Sequence, residues 1–174
     1  MDHTALGIRS HSGWAIVVAA TASRILDRRR IEIADPAIPG SRQPFHAAEG
    51  LPFDQAETLI RKCRESSLVL ATRALTACLD YNVERAAILF ASGRPLPDLA
   101  ATLRSHALIH TAEGEFFREV LVSACEQCGI PVMRIKERDL PDNPLVTELG
   151  RSLGPPWRQD EKRASLAAWA ALRR

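Results

Sequence analysis

Residues 5–20 read ALGIRSHSGWAIVVAA, two apolar runs joined by a Ser-His-Ser-Gly turn. Apolar and β-branched runs on either side of a short turn that contains glycine are typical of a β-hairpin. A third β-rich run follows after an equally short connection. Residues 4–10, 14–21 and 24–34 are therefore predicted to pair as an antiparallel meander.

The next part of the chain changes from strands to a loop and a helix. Proline and glycine are so dense in residues 35–53 that a long loop is predicted there. Asp54 and Glu57 have the spacing of a capping box, and apolar positions then recur with the helical period, so a long helix is predicted to end near Asn82. The apolar run RAAILFAS, residues 85–92, is typical of a strand buried on both faces.

The remaining segments alternate helix and strand. Asp98 is predicted to cap a helical region that reaches Gly129, and whether a second helix begins at Thr111 stays open. Residues 130–135 form a predicted strand, and a loop rich in proline and glycine separates it from a last helix, residues 158–174. A strand-helix-strand unit implies parallel pairing, so a mixed sheet between helices is expected.

Length and composition fit one α/β domain that spans residues 1–174. The net charge is +2, apolar residues make up 46%, and no apolar run approaches the about 18 residues that a membrane span needs. The N-terminus lacks the basic and apolar stretches of a secretory signal. The four cysteines lie in predicted helices, which does not indicate a disulfide framework. We therefore expect a cytoplasmic protein without a membrane segment.

Three local strings resemble one branch of a large superfamily. Residues 5–20 are similar to the first hairpin of the RuvC and YqgF branch of ribonuclease H-like proteins, in which a Leu-Gly-Ile/Leu strand carries Asp. ASGRPLP, residues 91–97, resembles the Gly-x-Pro-Leu segment after the fourth strand of that branch. CGIPVMRIKERDL, residues 128–140, resembles its Gly-x-Pro-Val strand and Asp-Glu-Arg-Leu ending. The resemblance implies a ribonuclease H-like mixed five-stranded sheet flanked by helices.

The resemblance also implies a nucleic-acid phosphodiesterase in which carboxylates hold divalent metals. Carried over by position, Glu137 matches the acidic residue of the Glu-Arg pair. Asp160 or Glu161, at the start of the last helix, matches the closing carboxylate. Arg9 stands where the first carboxylate belongs, and the fourth strand supplies no carboxylate in residues 88–92. A cation at that position repels metal ions, so a degenerate site with weak or no two-metal nuclease activity is predicted.

Two interpretations of Arg9 stay open. Its guanidinium, together with His11 in the adjoining turn, could bind an anion such as a phosphate backbone. Alternatively, Arg9 pairs with Glu137 or Asp160. Arginine supplies 20 of the 23 cationic side chains, which suits phosphate binding but also fits a genome with an arginine-rich codon bias.

A second set of candidate residues lies on the predicted helix that follows Asp98. His106, His110 and Glu113 have i, i+4 and i+7 spacing, which places them on one helix face, with a geometry that suits zinc or iron. Paired histidines on a helix also hydrogen-bond locally, so the spacing does not establish a metal site. His11 and His46 could approach the same region.

The favoured interpretation is therefore a ribonuclease H-like protein with a degenerate carboxylate site that binds or processes nucleic acid. One alternative is a metal-dependent enzyme that uses the His106, His110 and Glu113 group on a small substrate. Another is a non-catalytic scaffold. A divalent metal is a possible cofactor and nucleic acid a possible partner, while enzymatic activity stays open.

Overall fold

A mixed five-stranded sheet forms the centre of the computed structural model, which describes residues 3–91 and 95–173. The strands are β1 (Thr4–His11), β2 (Trp14–Ala20), β3 (Ile25–Glu32), β4 (Val83–Phe90) and β5 (Val132–Lys136). Their order across the sheet is β3-β2-β1-β4-β5, with β1 to β3 antiparallel, β4 parallel to β1 and β5 parallel to β4. The predicted meander and the predicted fold class are confirmed.

Helices cover both faces of this sheet. They are α1 (Pro44–Ala48), α2 (Phe53–Thr76), α3 (Leu99–Leu103), α4 (His106–Gln127), α5 (Leu145–Leu153) and α6 (Gln159–Leu172). The larger core lies on one face, where Leu6 and Ile8 of β1 pack with α2 and α4. The smaller core lies on the other face, where α6 covers Ala5 and Val18. Alternate residues of β1 therefore belong to different cores, as the pleat of a strand requires.

Two predicted loops each contain a short helix. Residues 35–53 were expected to be irregular, but α1 occupies part of them, because Pro44 stands in its first turn, where a helix needs no N–H donor. The loop after β5 contains α5, whose N-cap residue is Pro144, a position before the first turn where proline disturbs no helical hydrogen bond. Proline density was a poor guide here, because proline excludes only the interior of a helix.

The predicted boundaries of the long helices need three corrections. The helical region after Asp98 breaks at Arg104 and Ser105, between α3 and α4, and not at Thr111. Asp98 does cap α3, since its Oδ1 accepts the N–H of Ala101 at 2.7 Å. In α2 no side chain caps the N-terminus, because Pro52 is the N-cap residue and the predicted capping box is absent.

The end of α2 also differs from the prediction. The helix stops at Thr76, and a single 3-10 turn, Leu79–Tyr81, continues the chain to Asn82. Asn82 adopts a left-handed conformation, with φ of 53°, which reverses the chain direction into β4. The α-helix therefore ends six residues before Asn82, the residue at which it was predicted to end.

Direct contact between α6 and β1 fixes the position of the last helix. A β-carbon added at Gly7 would lie 1.7 Å from the carbonyl oxygen of Ala164, so only glycine allows the helix backbone to come this close. Asp160 lies one helical turn before Ala164, and Arg9 lies two residues after Gly7 on the same face of β1. The glycine contact thus brings Asp160 towards Arg9.

Among the described residues, none of the helices combines the length and the apolar content that crossing a bilayer needs.

Candidate functional site

Charged side chains meet at the edge of the sheet where β1, β4 and β5 end. We call Arg9, Glu137 and Asp160 the acid–arginine cluster. Arg9 lies near the end of β1, Glu137 follows β5 directly, and Asp160 is the second residue of α6. Parallel strands bring their carboxyl ends to one edge, which is why residues so distant in the chain converge.

The guanidinium of Arg9 lies between the two carboxylates. Its Nη2 is 3.0 Å from Oε1 of Glu137, and its Nη1 bonds Oδ1 of Asp160. The same Asp160 oxygen is 2.9 Å from Nε2 of His11. Arg163, one turn further along α6, brings its Nε to 3.7 Å from Glu137. Two arginines therefore balance the two carboxylates.

The pKa of Asp160 is lowered in this setting. Partial burial is the largest single influence and raises the pKa of this carboxyl, but it is outweighed by the hydrogen bond and charge of His11 and by those of Arg9. The net direction is below the ordinary aspartate value. Asp160 is thus held as a carboxylate whose Oδ1 atom is engaged by both Arg9 and His11.

Glu161 does not reach the cluster. Only 6% of it is exposed, and its Oε2 accepts the backbone N–H of Arg158 at 2.8 Å at the start of α6. Of the two acids predicted for the closing position, Asp160 is therefore the one that faces Arg9. Glu161 has a capping role, which the adjacent sequence positions could not separate from a site role.

Divalent metals of the kind that the superfamily resemblance implies do not fit this donor set. Two hard cations need several oxygen ligands that carry negative charge, whereas a guanidinium occupies the space between Glu137 and Asp160. Neither the end of β4 towards the cluster nor Ala91, the described residue that follows the strand, offers a carboxylate. The last residue of the predicted strand, Ser92, lies outside the described residues.

A second polar group lies on the face of the sheet that α4 covers. His46, His106 and His110, which we call the histidine cluster, each offer a ligand atom within 4.8 Å of the others. His46 comes from α1, whereas the other two come from the first turns of α4. The structure thus replaces one member of the predicted set, because Glu113 stands behind His46 and outside the group.

Glu113 is buried and fully engaged. Its Oε2 is 2.6 Å from Nδ1 of His46 and accepts the backbone N–H of the same residue at 3.1 Å, while its Oε1 accepts the N–H of Phe45 at 3.4 Å. The sequence suggested that His46 could approach His106 and His110, but no spacing fixed its position, because His46 lies in a segment that was predicted to be an irregular loop.

His11 does not join the histidine cluster. Its ring stacks on Trp14, with centroids 4.0 Å apart and an interplanar angle of 9°. The guanidinium carbon of Arg30 lies 3.8 Å from the centroid of the Trp14 ring. Trp14 therefore packs between Arg30 and His11, and His11 contacts Asp160 of the acid–arginine cluster. Trp14 and Arg163 are site neighbours that the sequence did not indicate.

Comparison with known proteins identifies the fold. No protein-family model and no curated protein sequence matches the chain. The structure of Thermus thermophilus RuvC in complex with a Holliday junction substrate is similar to it, with a TM-score of 0.59 and 11% identity over 96% of this chain and 90% of that one. A second T. thermophilus RuvC structure gives 0.54 and 12% over 95% and 91%. The chain therefore has the ribonuclease H-like α/β fold.

Proposed function

We infer that this chain is a ribonuclease H-like protein that binds nucleic acid and has little or no two-metal nuclease activity. The low nuclease activity is inferred from the position of Arg9 between Glu137 and Asp160. A fixed cation there repels a metal ion with an energy on the order of 1 kcal/mol at 4 Å in bulk water, and more where water is partly excluded. The carboxylates stabilise the guanidinium in place of a metal.

Exposed cations around the cluster support binding to a phosphate backbone. Lys136 and Arg138, which flank Glu137, and Arg158, two residues before Asp160, are exposed, while Lys162, two residues after Asp160, is half-buried. Phosphate contacts in protein complexes with nucleic acids come mainly from such side chains. The fold is that of a RuvC structure with a bound Holliday junction. Because Arg9 is engaged by two carboxylates, we assign the phosphate contacts to these outer cations.

The outer side of the edge strand β5 offers room for a backbone. A cleft of about 530 Å³ opens there, with Lys136, Arg134 and Arg173 in its wall. Arg134 is already paired with Glu119, which leaves Lys136 and Arg173 as the cations that face a ligand in this cleft. The cleft shares Lys136 with the surroundings of Glu137 and so continues the same surface.

Binding to DNA should depend on salt through these outer cations. We expect Arg158→Gln to lower the slope of log affinity against log salt by about 0.9, the value for one phosphate contact with duplex DNA. Arg61→Gln on α2 is the matched control, because Arg61 is exposed and paired with Glu65, and its loss should leave the slope unchanged. Filter retention of single-stranded, duplex and branched DNA at several salt concentrations measures both. Absence of retention at low salt would refute nucleic-acid binding.

Cleavage assays test the other half of the proposal. The wild type should hydrolyse no phosphodiester with magnesium or manganese, whereas Arg9→Asp should bind manganese measurably more tightly, because it removes the cation and adds a ligand. Calorimetric titration with manganese compares this variant with Arg61→Asp, which makes the same charge change away from the cluster. Metal-dependent cleavage by the wild type that Arg9→Asp abolishes would show that the arginine serves a working nuclease site.

A further inference from the structure

We propose that His46, His106 and His110 form a binding site for one divalent transition metal ion of the zinc class, and that Glu113 orients His46 for this role. The site is separate from the acid–arginine cluster, since α1 and α4 cover one face of the sheet and α6 the other. It does not depend on whether the chain binds nucleic acid.

One ring nitrogen from each histidine lies within 4.8 Å of the other two. In His46 the Nδ1 atom is engaged by Glu113 at 2.6 Å, and in His106 the Nδ1 atom is 3.3 Å from Oε1 of Glu49, which leaves Nε2 free in both. Nε2 of His106 lies 3.1 Å from Nε2 of His110. A tetrahedral zinc ion with bonds of about 2.05 Å holds its nitrogen ligands about 3.3 Å apart. The spacing of the His106 and His110 pair is close to that value, and the ligand atoms of all three histidines lie within 4.8 Å of one another.

The arrangement of the rings also favours an ion between them. The three ring pairs have centroids 4.6 to 5.6 Å apart and interplanar angles of 65° to 85°, so the rings meet edge to face and do not stack. Two imidazole nitrogens that face each other at 3.1 Å need a proton or a cation between them, because each neutral acceptor presents a lone pair. A metal ion accepts both lone pairs at once.

The buried carboxylate of Glu113 also supports a metal site, because it contacts His46 at Nδ1, the ring nitrogen other than the one that would bind the metal ion. Only 4% of this residue is exposed, so its negative charge is compensated by two backbone N–H groups and the ring of His46. A carboxylate that receives the second N–H of a ligating histidine fixes the ring orientation and makes the metal-binding nitrogen more basic. Glu113 is thus a positioning residue, and a cation on His46 would further balance its buried charge.

Three protein ligands leave one coordination position for water or another small ligand. His106 and His110 are exposed, so this position faces solvent. Structural zinc sites have four protein ligands, whereas sites with three keep an open position for exchange. A bound metal ion would also join α1, through His46, to the start of α4, through His106 and His110.

Metal content and affinity of the tag-free full-length chain test the proposal. Protein grown with added zinc should contain one equivalent, and cobalt should give the visible absorption of a tetrahedral nitrogen site. His106→Ala and His110→Ala should abolish the cobalt spectrum and the stabilisation by zinc in thermal unfolding. His3→Ala is the matched control, because His3 is an exposed histidine paired with Glu84 far from the cluster.

Glu113→Gln measures the positioning role. Zinc affinity should fall about 10-fold to 100-fold, as for other partners of ligating histidines. The exposed variants decide the proposal even if this buried one fails to fold. A wild type that takes up no zinc or cobalt at equimolar concentration would overturn the site. So would uptake that is unchanged in His106→Ala and His110→Ala.

Discussion

Asp160 is the residue through which pH acts on the acid–arginine cluster. Its pKa is lower in the folded chain than in an unfolded one, because His11 and Arg9 outweigh the effect of burial. A carboxyl group with a lowered folded pKa stabilises the fold above its unfolded pKa of about 3.9, and this contribution is lost as pH falls through the folded value.

We therefore expect Asp160→Asn to be less stable than the wild type by about 1 to 2 kcal/mol at pH 7, the range for a partly exposed charged hydrogen bond. The difference should shrink as pH falls from 5 to 2, since the wild-type carboxyl becomes protonated there. Urea unfolding at several pH values measures it, with Asp142→Asn at an exposed loop position as the control. A difference that stays constant down to pH 2 would contradict this assignment.

At the residue scale, the sequence could indicate the partners of Arg9 but not select between neighbours. Glu137 and Asp160 were expected from the resemblance to ribonuclease H-like proteins, and the structure brings both to Arg9. Asp160 and Glu161 are adjacent, and only the direction in which α6 begins decides which one faces the sheet. His46 was expected to be able to approach His106 and His110, but its contact with Glu113 could not be assigned, because α1 lies in a segment without a periodic pattern.

At the scale of elements, the contact between β1 and α6 is the tightest constraint. Gly7→Ala should destabilise the fold by about 3 kcal/mol or more, because the added methyl group would meet the backbone of Ala164, which cannot move without the whole helix. Gly114→Ala is the matched control. It lies inside α4, its added carbon would meet only the end of Arg118, and a gain of up to about 1 kcal/mol is expected.

Thermal or denaturant unfolding of the two glycine variants distinguishes a packing effect from a general loss of glycine flexibility. Equal stability changes in both would show that the approach of α6 to β1 is not as close as described. Such an approach had no signal in the sequence, where Gly7 is one glycine in an apolar strand. The short helices α1 and α5 were also not predicted. Each begins at or directly after a proline, and the proline content of these segments indicated loops.

For the whole molecule, the order of strands and helices was enough to predict the sheet, because handedness and parallel pairing leave few arrangements for that order. The apolar run of β4 predicted a central strand, and β4 lies between β1 and β5. Charge was less informative. The net charge of +2 does not show how charge is distributed. Arginines neutralise the carboxylates of the acid–arginine cluster, while Lys136, Arg138 and Arg158 are exposed near it.

The bond between Arg9 and Asp160 joins residues 151 positions apart. Closing so large a loop costs chain entropy before the contact returns any energy, so long-range contacts of this kind slow folding. The hairpin of β1 and β2, by contrast, is local. During folding, the meander can therefore form while α6 is still unattached, and the acid–arginine cluster then acquires its geometry only in the late steps, after β4 and β5 have joined the sheet.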